Sequence, residues 1–85
     1  MSDLAYKKAT EILVNPDRWI ADEGNRLIVI YQEKDTTFLI GSITKTNPPY
    51  LDDGIVNSLW FTNVESAKRY ARNEMYVESR FKKAK

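Results

Sequence analysis

The chain has 85 residues, 42% of them hydrophobic and 29% charged, and a formal net charge of +1 at pH 7. That length makes a single small domain spanning residues 1–85, and that composition belongs to a folded globular chain rather than a disordered one. It contains neither cysteine nor histidine, which excludes disulfides and thiolate metal sites and removes the commonest general base and nucleophile–base pairs. No apolar run approaches the ~20 residues that span a bilayer. The first eight residues lack the basic-then-apolar pattern of a signal peptide, so the expected location is the cytoplasm. Charge is spread unevenly. Residues 64–85 hold seven Lys/Arg against three Glu, whereas residues 1–63 hold six basic and nine acidic groups. Such asymmetry suits a docking face for an acidic partner.

Taken in order, Ser2 or Asp3 caps a first predicted helix that runs to about Val14. Ala5, Ala9, Ile12 and Leu13 recur at helical spacing and are expected to face a sheet, with Lys7, Lys8 and Glu11 in water. Pro16 biases Asn15 away from helix and ends the element. Between Asp17 and Gly24 two readings compete. Asn15-Pro16 can open another helical turn. A short strand at Arg18–Ala21 is preferred, because Asp22-Glu23-Gly24-Asn25 supplies residues that tolerate the positive φ of a tight hairpin.

The strongest strand signals are Leu27-Ile28-Val29-Ile30-Tyr31 and Phe38-Leu39-Ile40-Gly41-Ser42-Ile43, joined by Glu33-Lys34-Asp35-Thr36. They read as an antiparallel hairpin. The segment from Lys45 to Gly54 carries two prolines and two aspartates and is predicted irregular. Ile55 to Phe61 is the next predicted strand. Thr62-Asn63-Val64-Glu65 has the spacing of a capping box, and the helix it opens is predicted to run to Phe81 or Lys82. The fold class that follows is α+β: a three- or four-stranded antiparallel meander sheet with an N-terminal and a C-terminal helix.

Side chains alternate across a strand. Leu27, Val29 and Tyr31 therefore oppose Ile28 and Ile30, and Leu39 and Ile43 oppose Phe38 and Ile40. Both faces are apolar and need cover. Helices on opposite faces would give a closed monomer. Helices on one face would leave the other for a second copy or a heterologous partner.

What remains for chemistry is carboxylates, lysines and tyrosines. Asp52-Asp53, with Asp22 or Glu23, are the acidic groups a hard cation would need, but their spacing is not that of a calcium loop. Glu74 and Glu78 fall on the apolar side of the predicted last helix, where burial would raise a carboxyl pKa; a wet helix end is the preferred reading. Gly24, Gly41 and Gly54 are too far apart for a phosphate-cradling loop. No catalytic, cofactor-binding or metal-binding residue is therefore assigned, and the chain is expected not to be an enzyme. The sharper feature is Arg69, Arg72, Tyr76, Arg80 and Lys83, spaced to line one stripe of the predicted helix. Cations around an aromatic suit an acidic protein surface. They also suit phosphates, with Tyr76 stacking on a base. Tyr50, behind Pro48-Pro49, is a second candidate contact. The expected function is a protein-binding module, an adaptor, inhibitor or regulator of the size that phages and mobile elements encode, in one arrangement a dimer through its sheet. A nucleic-acid-binding accessory protein is the alternative.

Overall fold

A computed structural model describes residues 3–33, 37–52 and 60–83. Among them run α1 (Asp3–Leu13), β1 (Arg18–Asp22), β2 (Arg26–Glu33), β3 (Thr37–Thr44), β4 (Tyr50–Asp52), α2 (Val64–Glu74) and β5 (Lys82–Lys83). The strands form one antiparallel sheet in the order β4-β3-β2-β1-β5. The expected α+β meander is present and carries one further strand: after α2 the chain returns to the outer edge of β1.

Strand, rather than helix, is what forms at residues 18–22. α1 stops as Pro16 demands, and Asn15 turns the chain: its side-chain oxygen accepts the Asp17 N–H (2.8 Å) and its amide donates to the Gln32 carbonyl (3.1 Å). The β1–β2 connection uses Gly24 at φ 90°, a conformation that favours glycine. Asn25 needs no positive φ there. Asp22 accepts the Gly24 N–H at 3.0 Å, a local bond that favours the turn.

The β2–β3 register places Ile30 opposite Ile40 and Val29 opposite Gly41. Ile28, Ile30 and Ile40 pack with Ala21 beneath Ala67 and Ala71 of α2, and with Val77 and Phe81 beyond it. On the other face, Val29, Tyr31 and Ile43 pack beneath Ala9 and Ile12 of α1. The helices thus lie on opposite faces, the closed arrangement of the two. Burying each isoleucine, valine or phenylalanine of these clusters contributes about 1.5–3 kcal/mol, with the alanines letting the helices sit close, so the two clusters hold the sheet between its helices. Gly41 makes room chiefly for Leu51 of β4: a Cβ there would lie 3.2 Å from the Leu51 side chain, and 3.5 Å, an ordinary contact, from Ile12.

α1 crosses its face obliquely. Tyr6 meets Tyr50 edge-on at 5.1 Å at the β4 corner. Lys8 pairs with Glu33 at the far end of β2 (3.1 Å). The remaining corner, Ile20 on β1 and Leu27 on β2, is only half-buried.

Three expectations need correction. First, Tyr50–Asp52 is a strand, pairing with Ser42–Thr44 despite the prolines before it. Second, Asn63 rather than Thr62 caps α2, accepting the Ser66 N–H at 2.8 Å, so the capping box does not form. Glu65 pairs with Lys68 at 3.7 Å. Third, α2 ends at Glu74, well short of Phe81. Of the strand predicted over 55–61, residues 55–59 lie outside the described residues; Phe61 forms a single bridge with Phe38, with two hydrogen bonds of 2.9 Å.

Candidate functional site

The early end of α2 decides where the basic residues go. Met75 caps the helix, and its N–H and that of Val77 both bond to the Ala71 carbonyl (3.2 and 3.1 Å). Between them Tyr76 takes φ 57°, the left-handed region. Val77 and Phe81 then turn into the core under α2. A continuing helix would spend the Glu78 and Ser79 N–H groups on carbonyls four residues back. Here the Glu23 carboxylate takes both instead, at 3.5 and 3.0 Å, and the Ser79 hydroxyl donates to the Asp22 carbonyl at 2.7 Å. The β1–β2 turn therefore clamps residues 78–79 in a non-helical path that bends at Ser79 and delivers Lys82 and Lys83 to the edge of β1.

The clamp shows in the carboxyl groups. Ser79, with the Glu78 N–H beside it, holds Glu23 below the ordinary carboxyl value. Asp22 is also held low, mainly by Lys45, whose Nζ is 2.7 Å away, and then by the Gly24 N–H.

The five predicted stripe residues consequently do not share one helix face. Arg69 and Arg72, three apart on α2, are exposed and neighbour one another. Tyr76 follows directly after the cap and is 80% exposed. Arg80 lies beyond the clamp. Lys83 turns away: its ammonium sits 5.1 Å over the Trp19 ring, and its Nζ lies 3.5 Å from the Pro16 carbonyl. Among the described residues, Arg69, Arg72 and Arg80 make no ion pair.

Tyr50 belongs to β4 and is half-buried against Tyr6, so it is a packing residue at the sheet edge rather than a displayed loop contact. Trp60 is 62% exposed. The acidic residues scatter. Asp52 is on β4 and Asp22 on β1, with β3 and β2 between them. Glu74 and Glu78 are exposed, and Glu78 is off the helix. Among the described residues no group of three or more carboxylates is placed to hold a metal ion, and no helix is long and apolar enough to cross a membrane. A groove at the half-buried Ile20–Leu27 corner could not be foreseen from the linear pattern, because it is walled by residues 79–83, which reach the β1 edge only in the fold. Comparison with protein-family models, curated proteins and solved structures found no match.

Proposed function

We propose that this chain is a small non-catalytic protein-binding module, of adaptor or regulatory type, whose contact surface is Arg69, Arg72 and Tyr76 at the end of α2. One observation carries the reading. Tyr76 is a large aromatic held almost wholly in solvent, at a backbone angle that costs a non-glycine residue about 1–2 kcal/mol. The left-handed turn itself serves the cap, bringing the Val77 N–H to the Ala71 carbonyl and Val77 into the core, but a glycine would do this without that cost, and strained positions cluster where a residue is used. Tyrosine and arginine are the side chains that most often dominate protein interfaces. The exposed Arg69 and Arg72 on the helix before it favour an acidic partner surface. As part of the reading, the chain acts in the cytoplasm. Self-association through the sheet is not included, because its motive was an uncovered face and each face carries a helix.

The test is affinity capture from the source cell. The tagged chain is compared with a variant carrying Tyr76→Ala and Arg72→Glu, and captured proteins are quantified by mass spectrometry. The wild type should retain at least one protein that the variant loses by about tenfold or more, roughly 1.4 kcal/mol of binding. Identical captures would overturn the reading. So would retention of oligonucleotide in place of protein, with affinity falling steeply as salt rises, which is the signature of phosphate binding.

A further inference from the structure

The face beneath α1 is incompletely covered, and the gap has a definite chemistry. Because α1 runs from the β4 corner to the far end of β2, the corner at the same strand end as Tyr50 but on the β1 edge lies open. There the structure has a depression of about 590 Å³, lined by Ile20, Leu27, Asp22, Ser79, Arg80 and Lys82, with Lys83 at its margin. Its floor is aliphatic. Ile20 and Leu27 are diagonal neighbours on β1 and β2, on the face that also carries Val29 and Ile43. Its rim is cationic. Lys82 pairs directly across from Ile20, so its side chain stands on the same face. Asp22 is the one carboxylate of the lining, and it is already engaged by Lys45 at 2.7 Å and the Gly24 N–H at 3.0 Å. Arg80 and Lys82 make no ion pair among the described residues. The wall formed by Ser79 is fixed by its bonds to Glu23 and Asp22, so the depression does not depend on a loose segment.

We infer that this depression docks a segment of a partner protein that presents aliphatic side chains between carboxylates. The floor takes the aliphatic groups, removing Ile20 and Leu27 from water. The rim takes the carboxylates, whose charge complements Arg80 and Lys82. The volume falls within the ~300–1,000 Å³ of small-ligand clefts, enough for more than one such side chain. This inference shares with the proposed function the premise that the chain binds protein, but not its surface. The depression is on the α1 face, whereas α2 with Arg69, Arg72 and Tyr76 caps the other.

The test is a titration of the full ¹⁵N-labelled chain with an acetylated, amidated peptide Asp-Leu-Glu-Leu-Asp, followed by amide chemical shifts. Shifts should concentrate at Ile20, Leu27 and Ser79–Lys82. Affinity should fall about tenfold in an Arg80→Glu/Lys82→Glu variant, as loss of two exposed charge contacts allows, and fall less in Arg80→Gln/Lys82→Gln. Tyr76→Ala should bind the peptide as the wild type does. Replacing leucine by serine or the acids by lysine in the peptide should abolish the shifts. The inference is overturned if millimolar peptide moves none of these amides, or if both double variants keep a dispersed spectrum and bind undiminished. It is also overturned if a short single-stranded oligonucleotide displaces the peptide, which would make the depression a phosphate site. Shifts confined to residues around Tyr76 would leave the proposed function standing and remove only this one.

Discussion

At residue 76 side chain and backbone pull in different directions. The position wants a glycine, since it follows a helix cap in the left-handed region, yet it carries a tyrosine whose ring is in water. Replacing Tyr76 by glycine should therefore raise stability by about 1 kcal/mol, a Tm increase of roughly 4–8 °C for a domain of this size. The same change should abolish partner capture, a trade of stability against function. Thermal denaturation checks the first half; a fall in Tm would mean that the ring packs against something and that the strain is repaid within the fold. Gly24 makes the contrast. It sits at φ 90° in the β1–β2 turn, and its residue type announces the turn in the sequence. Tyr76 announces nothing, which is why the helix was expected to run through it.

At the scale of elements, the end of α2 is decided by tertiary contacts rather than by local preference. Residues 75–81 contain no glycine or proline, and their periodicity suits a helix. Burial of Val77 and Phe81 together with the Glu23 clamp outweighs that preference. Glu23 and Asp22 both titrate below their ordinary values of 4.5 and 3.8. A depressed carboxyl contributes stability that is present above its unfolded pKa and is lost as pH falls through the lower folded pKa. Glu23→Gln should accordingly lower Tm at neutral pH, and the gap from wild type should close as pH is taken from about 4.5 downward. A gap that stays constant into acid would show that the clamp does not depend on charge. Other elements were legible to different degrees. The central hairpin, β1 and α1 follow from alternation, turn residues and Pro16. β4 is three residues hidden behind two prolines, and β5 is two lysines with no strand preference of their own. It pairs only because the clamp brings it to β1. The cap of α2 fell one residue later than the box spacing implied: the Asn63 amide oxygen accepts the N–H of Ser66, three residues on, where a Thr62 cap would have taken that of Glu65.

For the whole molecule, alternating apolar residues made plain that both faces of the sheet need cover. Which helix covers which face, and how completely, depends on crossing direction, and nothing in a linear pattern encodes that. The same holds for the basic residues. As a helical stripe they formed one surface. In the fold they divide among an arginine pair on α2, a rim of Arg80 and Lys82 on the other face, and Lys83 folded over Trp19. Short lysine-bearing β5 and three-residue β4 leave little open edge for strand addition, so side-chain surfaces are the better places for a partner. The account stands or falls on Tyr76 being one of them. A photoreactive benzoylphenylalanine at position 76, expressed in the source cell and irradiated, tests this directly against the same residue at the exposed α1 position of Glu11. The account predicts a protein adduct from position 76 and none from position 11. Equal adducts at both positions, no adduct at 76, or an adduct there that nuclease removes would contradict it.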